Sequence, residues 1–202
     1  MIKHQNKVRL LVNIRGCNGA GKSTIPILMM DDPQMYTVTK KYKGKQRKIL
    51  TVFPTYGWVT LGTYFNKTGG LDVLPNNELI LKSVKYAIKH FPDYDILMEG
   101  IIASTIYSTY LKLFYEVQSE YGIKVIVMNF LPPFETCLER VYQRNGGKPI
   151  KEGYVLSKYR TVERNHERFK ADDICSLKID NSRTFRDNML KKFLKTCEKY
   201  RR

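Results

Sequence analysis

The sequence is poor in acid. Its 202 residues hold 19 Asp and Glu against 35 Lys and Arg, a formal charge of +16, and no acidic residue stands between Asp32 and Asp72. A folded protein with this surplus gathers polyanions from a distance, so nucleic acid and anionic membrane surfaces are the partners that charge alone suggests. Cysteine is scarce: Cys17, Cys137, Cys175 and Cys197 are widely spaced with no C-x-x-C pair. That argues against a disulfide framework or a zinc site and points to a reducing cytoplasm. His4, His90 and His166 have no ligand spacing either. No apolar run approaches the ~20 residues that cross a bilayer, so no membrane role is expected. The first apolar run, Val8–Ile14, is interrupted by Arg9 and Asn13 and has no small-residue cleavage site after it. It reads as a strand rather than a signal peptide. Repeats and low-complexity segments are absent. Hydrophobic residues nonetheless make up 43% and aromatics 12%, which excludes a disordered basic tail. A chain of this length buries one core, so 1–202 is expected to be a single domain.

Apolar patterning gives an order of elements. Val8–Ile14 is a buried strand running into a Gly-rich turn. Asn76–Phe91 carries Leu79, Ile80, Val84, Ala87 and Ile88 at helical spacing. Tyr94–Gly100 is a short strand ending in an acid and a glycine. Thr105–Tyr121 reads as one helix closed by Gly122. Lys124–Phe130 is a strand, Phe134–Arg144 and Val155–Lys170 are helices, Ser176–Asp180 is a strand and Thr184–Tyr200 a helix. Strands alternating with helices predict an α/β fold, a parallel sheet flanked by helices. Residues 35–65 break the alternation. Tyr36–Thr39 and Ile49–Phe53, on either side of a Lys-rich turn around Gly44, predict a β-hairpin inserted beside the main sheet.

Gly16-Cys17-Asn18-Gly19-Ala20-Gly21-Lys22-Ser23 satisfies G-x-x-x-x-G-K-[ST] and the tighter G-x-x-G-x-G-K-[ST] of small-molecule kinases. Glycines let the backbone wrap a phosphate, backbone N–H groups face the anion, Lys22 reaches the β- and γ-phosphates, and the Ser23 hydroxyl ligates Mg²⁺. The loop joins a buried strand to a helix, which is the context the motif requires, so ATP and Mg²⁺ are the expected cofactors. Pro26, four residues past Lys22, is expected to shorten or bend that helix.

Kinases, ATPases and GTPases share this loop. The N-K-x-D guanine-reading motif is missing, since Asn66-Lys67-Thr68-Gly69 lacks the acid, and so is an ABC-type signature; a kinase is favoured. Glu99, ending the strand Ile96-Leu97-Met98-Glu99, can hold the metal shell beside Ser23 or accept a proton from an attacking hydroxyl. Asp72, after the Gly69-Gly70 turn, is the other candidate general base. Arg140 and Arg144 lie on one helix face of a segment, 140–170, that suits a basic lid over the transferring phosphoryl group. Lys148 and Lys151 follow, then Arg160, Arg164 and Arg168; those three arginines suit equally a lid or surface pairing with Glu163 and Glu167. The acid-free window holds Lys40, Lys41, Lys43, Lys45, Arg47, Lys48 and Lys67, interleaved with Tyr36, Tyr42, Phe53, Tyr56, Trp58, Tyr64 and Phe65. Cations that meet phosphates beside rings that stack on bases are what a nucleic-acid groove needs.

These stretches resemble a family of bacteriophage P-loop kinases that act on hydroxymethylated pyrimidines within DNA. The resemblance is carried by Val12-Asn13-Ile14-Arg15-Gly16 running into Gly19-Ala20-Gly21-Lys22-Ser23-Thr24, by Gly62-Thr63-Tyr64 with Gly69-Gly70-Leu71-Asp72, and by Leu97-Met98-Glu99-Gly100-Ile101-Ile102. It runs in order from about residue 8 to 170, and Cys17-Asn18 departs from the family's Thr-Ser or Asn-Ser. The resemblance implies a P-loop nucleotide-kinase-like fold that binds ATP through Gly16 to Thr24, with Mg²⁺ at Ser23 and Glu99. It implies transfer of the γ-phosphoryl group to the hydroxymethyl oxygen of a base in DNA, 5-hydroxymethyluracil being the reference acceptor. Lys22 would hold ATP with the loop backbone, Asp72 or Glu99 would take the proton, and Arg140 and Arg144 would steady the charge. The expected setting is the cytoplasm of a bacterial host. A free-nucleotide kinase of the thymidylate type and a polynucleotide 5′-hydroxyl kinase remain the competing readings.

Overall fold

The computed structural model describes residues 8–65 and 69–201. Strand β1, Leu10–Arg15, is buried at every position. Its side chains divide by the two-residue period of a strand, Leu10, Val12 and Ile14 entering one core and Leu11 the other. Six further strands are β2 (Tyr36–Tyr42), β3 (Lys45–Phe53), β4 (Trp58–Leu61), β5 (Asp95–Glu99), β6 (Lys124–Phe130) and β7 (Cys175–Ile179). They form one sheet in the order β2-β3-β4-β5-β1-β6-β7. Strands β4, β5, β1, β6 and β7 are parallel, whereas β3 runs antiparallel to β4 and β2 antiparallel to β3.

The helices are α1 (Thr24–Met29), α2 (Asn77–His90), α3 (Ile101–Thr105), α4 (Ser108–Tyr121), α5 (Phe134–Arg144), α6 (Glu152–Ala171) and α7 (Arg186–Tyr200). Leu79, Ile80, Val84, Ala87 and Ile88 of α2 and Tyr110, Leu113, Phe114 and Val117 of α4 fill the core on one face. Ile25 and Met29 of α1, Cys137 of α5 and Met189, Phe193 and Cys197 of α7 fill the other. The chain steps from β5 across β1 to β6. The crevice outside the C-terminal end of β1 is therefore the switch point at which open α/β sheets bind ligands. No helix among the described residues is long and apolar enough to cross a membrane.

Three expectations change. The hairpin forms, but it is the edge of the main sheet rather than an insertion beside it. The strand that joins it, β4, was not expected, although Trp58-Val59-Thr60-Leu61 is a buried run bounded by Gly57 and Gly62. The helix expected over 105–121 begins later, as α4 at Ser108, and a separate short helix, α3, precedes it, because the backbone at Ile106 is extended. There the Thr105 carbonyl accepts from Asn165 and the Ile106 carbonyl accepts from Arg15. Pro26 falls within the first turn of α1, where its missing N–H has no intrahelical partner to lose.

Candidate active site

Gly16 to Ser23 span the gap between the end of β1 and the start of α1. Gly19 holds φ +79°, and a Cβ there would lie 2.1 Å from the Cys137 carbonyl oxygen, so only glycine lets α5 pack on the loop. Lys22 is 8% exposed, and its Nζ donates to the Cys17 carbonyl at 2.9 Å. Burial lowers the Lys22 pKa, and the Glu99 and Asp72 carboxylates oppose that shift. The Gly16 N–H donates to Ser104 Oγ at 3.1 Å, and that hydroxyl donates to the Gly100 carbonyl at 2.6 Å. The loop is thereby tied to the Glu99-Gly100-Ile101-Ile102 segment.

Glu99 ends β5 beside the loop and is 1% exposed. The Ser23 hydroxyl lies 3.2 Å from each of its carboxylate oxygens. Burial raises the Glu99 pKa and Lys22 pulls it back. Gly70 makes room for this carboxylate, since a Cβ at residue 70 would sit 2.4 Å from Glu99 Oε1. Asp72 follows two residues later. Its oxygens accept from the Ile101 N–H (2.9 Å) and the Ile102 N–H (3.2 Å) at the head of α3. Tyr64 is buried beside Glu99; burial first, and then that carboxylate, push its hydroxyl pKa well up, so it stays protonated.

Ser23 and Glu99 offer hard oxygen donors of the kind Mg²⁺ takes next to nucleotide phosphates. Among the described residues no group of three or more His, Cys, Asp or Glu could hold a metal by itself. The Ser23 hydroxyl and Glu99 carboxylate oxygens would suit a cation whose remaining ligands came from a nucleotide.

The two arginines differ. Arg140 Nη1 lies 3.4 Å from the Gly19 carbonyl and 3.3 Å from Asn181 Oδ1, and its Nη2 lies 3.3 Å from the Asn181 carbonyl. Arg144 is exposed on the last turn of α5, near enough for its charge to act on Lys22. Arg168 is not aimed at the loop: its guanidinium lies 3.6 Å from the centre of the Tyr107 ring. Glu163 and Glu167 pair with Lys178 and Lys170 rather than with the α6 arginines. Lys67 lies outside the described residues.

Two residues carry parts of the site that sequence reasoning did not assign. Asn181, just past β7, is 2% exposed and donates from Nδ2 to the Ala20 carbonyl at 2.9 Å while holding Arg140. No local pattern marks it, because its partners lie 161 and 41 positions away. Arg15, directly before the loop, is fully buried, and its guanidinium donates to the Ala103 and Ile106 carbonyls and stacks 4.6 Å from the Phe169 ring. Burial without a carboxylate partner lowers its pKa to about 9. A cation at the end of a buried strand was the available signal.

A family model described as "5-hmdU DNA kinase" matches residues 3–176. The "5-hmdU DNA kinase" of Bacillus phage SP10 is 48% identical over 178 residues, 86% of this chain, which spans 27% of that relative's length. "5-hmdU DNA kinase 1" of Salmonella phage ViI is 37% identical over 79% of this chain and 70% of its own. The "5-hmdU DNA kinase" of Pseudomonas phage M6 is 32% identical over 80% and 86%. With the phosphate loop, Glu99 and Asp72 assembled at the end of β1, and with matches of this extent, the chain belongs to the 5-hmdU DNA kinase family.

Proposed function

We propose that this chain transfers the γ-phosphoryl group of ATP to the 5-hydroxymethyl oxygen of 5-hydroxymethyluracil in phage DNA, as a step in base hypermodification in the host cytoplasm. The observation that carries the reading is the contact of Ser23 with both Glu99 oxygens beside buried Lys22, in a chain whose relatives bear that name. The loop backbone from Gly16 to Thr24 binds the phosphates of ATP, and Lys22 turns from the Cys17 carbonyl to the β- and γ-oxygens. Ser23 and Glu99 hold Mg²⁺, which supplies neutralisation of phosphate charge when bound. Asp72 accepts the proton of the attacking hydroxymethyl group, while Glu99 serves the metal beside Ser23. Arg140 and Arg144 stabilise charge on the transferred group. A base inside a duplex cannot reach this recessed site, so the target nucleotide is turned out of the stack.

The test is incubation with γ-labelled ATP and matched duplexes containing thymine, 5-hydroxymethylcytosine or 5-hydroxymethyluracil. Label entering only the last supports the reading. Label entering free nucleotides instead makes the chain a small-molecule kinase.

A further inference from the structure

Strand register fixes how far the basic hairpin reaches. Thr60 of β4 pairs with Leu97 of β5, which sets Gly62 level with Glu99. The Gly62 N–H donates to the Ile49 carbonyl at 2.7 Å, so Ile49 of β3 stands at the level of Glu99. β3 runs opposite to β4. Residues 45–48, with their partners Thr39–Tyr42, therefore continue past the C-terminal edge of the sheet, on the side where the phosphate loop opens. Four residues at about 3.3 Å each carry the tip roughly 13 Å beyond Glu99, and two strand spacings set it about 10 Å to one side.

This overhang is cationic throughout. Lys40, Lys41, Lys43, Lys45 and Lys48 are exposed, and Arg47 is half-buried. Lys43 and Gly44 form the turn with φ of +47° and +77°, so a lysine occupies a position that normally favours asparagine or glycine. Lys48 lies 5.3 Å from the ring of half-exposed Phe65. The acid facing the hairpin is Glu78 of α2, which accepts from the Tyr42 hydroxyl and is already paired with Lys82. Residues 40–48 thus carry six cations and no acid. Lys40 lies 4.3 Å from the Tyr86 ring of α2, and among the described residues none of the six pairs with a carboxylate.

We propose that this overhanging hairpin grips the DNA backbone beside the nucleotide presented to Glu99 and Asp72. It recognises phosphates and carries no sequence preference. The proposal rests on the reading that the acceptor is a base in DNA. An extruded base enters between the loop and Asp72, and the backbone of the remaining duplex passes at the distance the hairpin spans.

The test compares the whole chain with a variant carrying Lys41→Gln, Lys43→Asn, Lys45→Gln and Lys48→Gln, and with Lys→Arg at the same four positions. Binding to a 30-base-pair duplex bearing 5-hydroxymethyluracil is followed by anisotropy across a salt series. The neutral variant is expected to lose at least about tenfold in affinity at low salt, and its dependence of log K on log[salt] to flatten by about four. The arginine variant is expected to retain wild-type binding. Phosphorylation of a modified trinucleotide, too short to lie along the tip, is expected to be unchanged in both. Wild-type affinity and salt slope in the neutral variant would overturn the proposal, as would a loss that arginine does not restore. If wild type binds the duplex through the hairpin but never labels it, the assignment of the acceptor fails while the hairpin surface stands.

Discussion

Asn181 holds two parts of the site at once: its amide donates to Ala20 in the loop and its oxygens receive Arg140 from α5. Removing either end of this bridge leaves the other unpositioned. Asn181→Ala and Arg140→Ala are each expected to lower kcat/KM about tenfold, and the double substitution to cost little more than either, a coupling of about 1 kcal/mol. Additive losses in steady-state kinetics would show that the two act separately. The paired carboxylates make a second case. Asp72→Asn is expected to reduce kcat by about a hundredfold or more with the Mg²⁺ requirement unchanged. Glu99→Gln is expected to raise the Mg²⁺ concentration for half-maximal rate by about tenfold. The converse pattern in a Mg²⁺ titration would exchange their roles. Lys22, Ser23 and Glu99 were legible in the sequence because each stands at the end of a local pattern, a motif or a strand. Asn181 was not, since a lone asparagine after a strand has no periodicity to expose it.

At the scale of elements, strand and helix periodicity placed β1, α2, β5, β6 and α5 close to where they lie. It failed where a tertiary contact overrode it. The apolar spacing of 105–121 runs smoothly, yet Asn165 and buried Arg15 take the Thr105 and Ile106 carbonyls, and the chain leaves the helix at Ile106. β4 is only four residues long, too short for alternation to show. The join between β6, α6 and β7 rests on a buried polar cluster. His166 Nδ1 lies 2.8 Å from Ser176 Oγ and 3.2 Å from Asn129 Nδ2. Accepting from the Asn129 amide requires the neutral ring. Burial holds the His166 pKa below its ordinary value, and neighbouring Glu167 opposes the shift. The unfolded chain therefore binds this proton more readily than the folded one. Stability from the neutral ring is present above about pH 6.5 and is lost as pH falls through the lower folded value. The thermal midpoint should fall on acidification below about pH 6.5, and His166→Gln should flatten that fall. An identical pH profile in the variant would assign the acid sensitivity to other groups.

Across the whole molecule, the charge that the sequence shows as a surplus becomes an arrangement. One part is the hairpin overhanging the C-terminal edge of the sheet, and another is the α5–α6 segment, where Arg140 and Arg144 face the loop side while Arg168 packs on Tyr107. Composition alone gave the sign of the partner. The sheet register gave the direction in which the charge points, which no local pattern contains, because it depends on β3 and β5 being joined through β4. A phosphate loop by itself serves many acceptors. The location of the label after transfer is therefore the most direct test: duplex bearing internal 5-hydroxymethyluracil is reacted with γ-labelled ATP, digested to nucleosides and separated. Transfer to the base predicts label on the 5-hydroxymethyl group of the internal base, absent when thymine replaces it. Label confined to the 5′ end of the strand, or to free nucleotides, would contradict it.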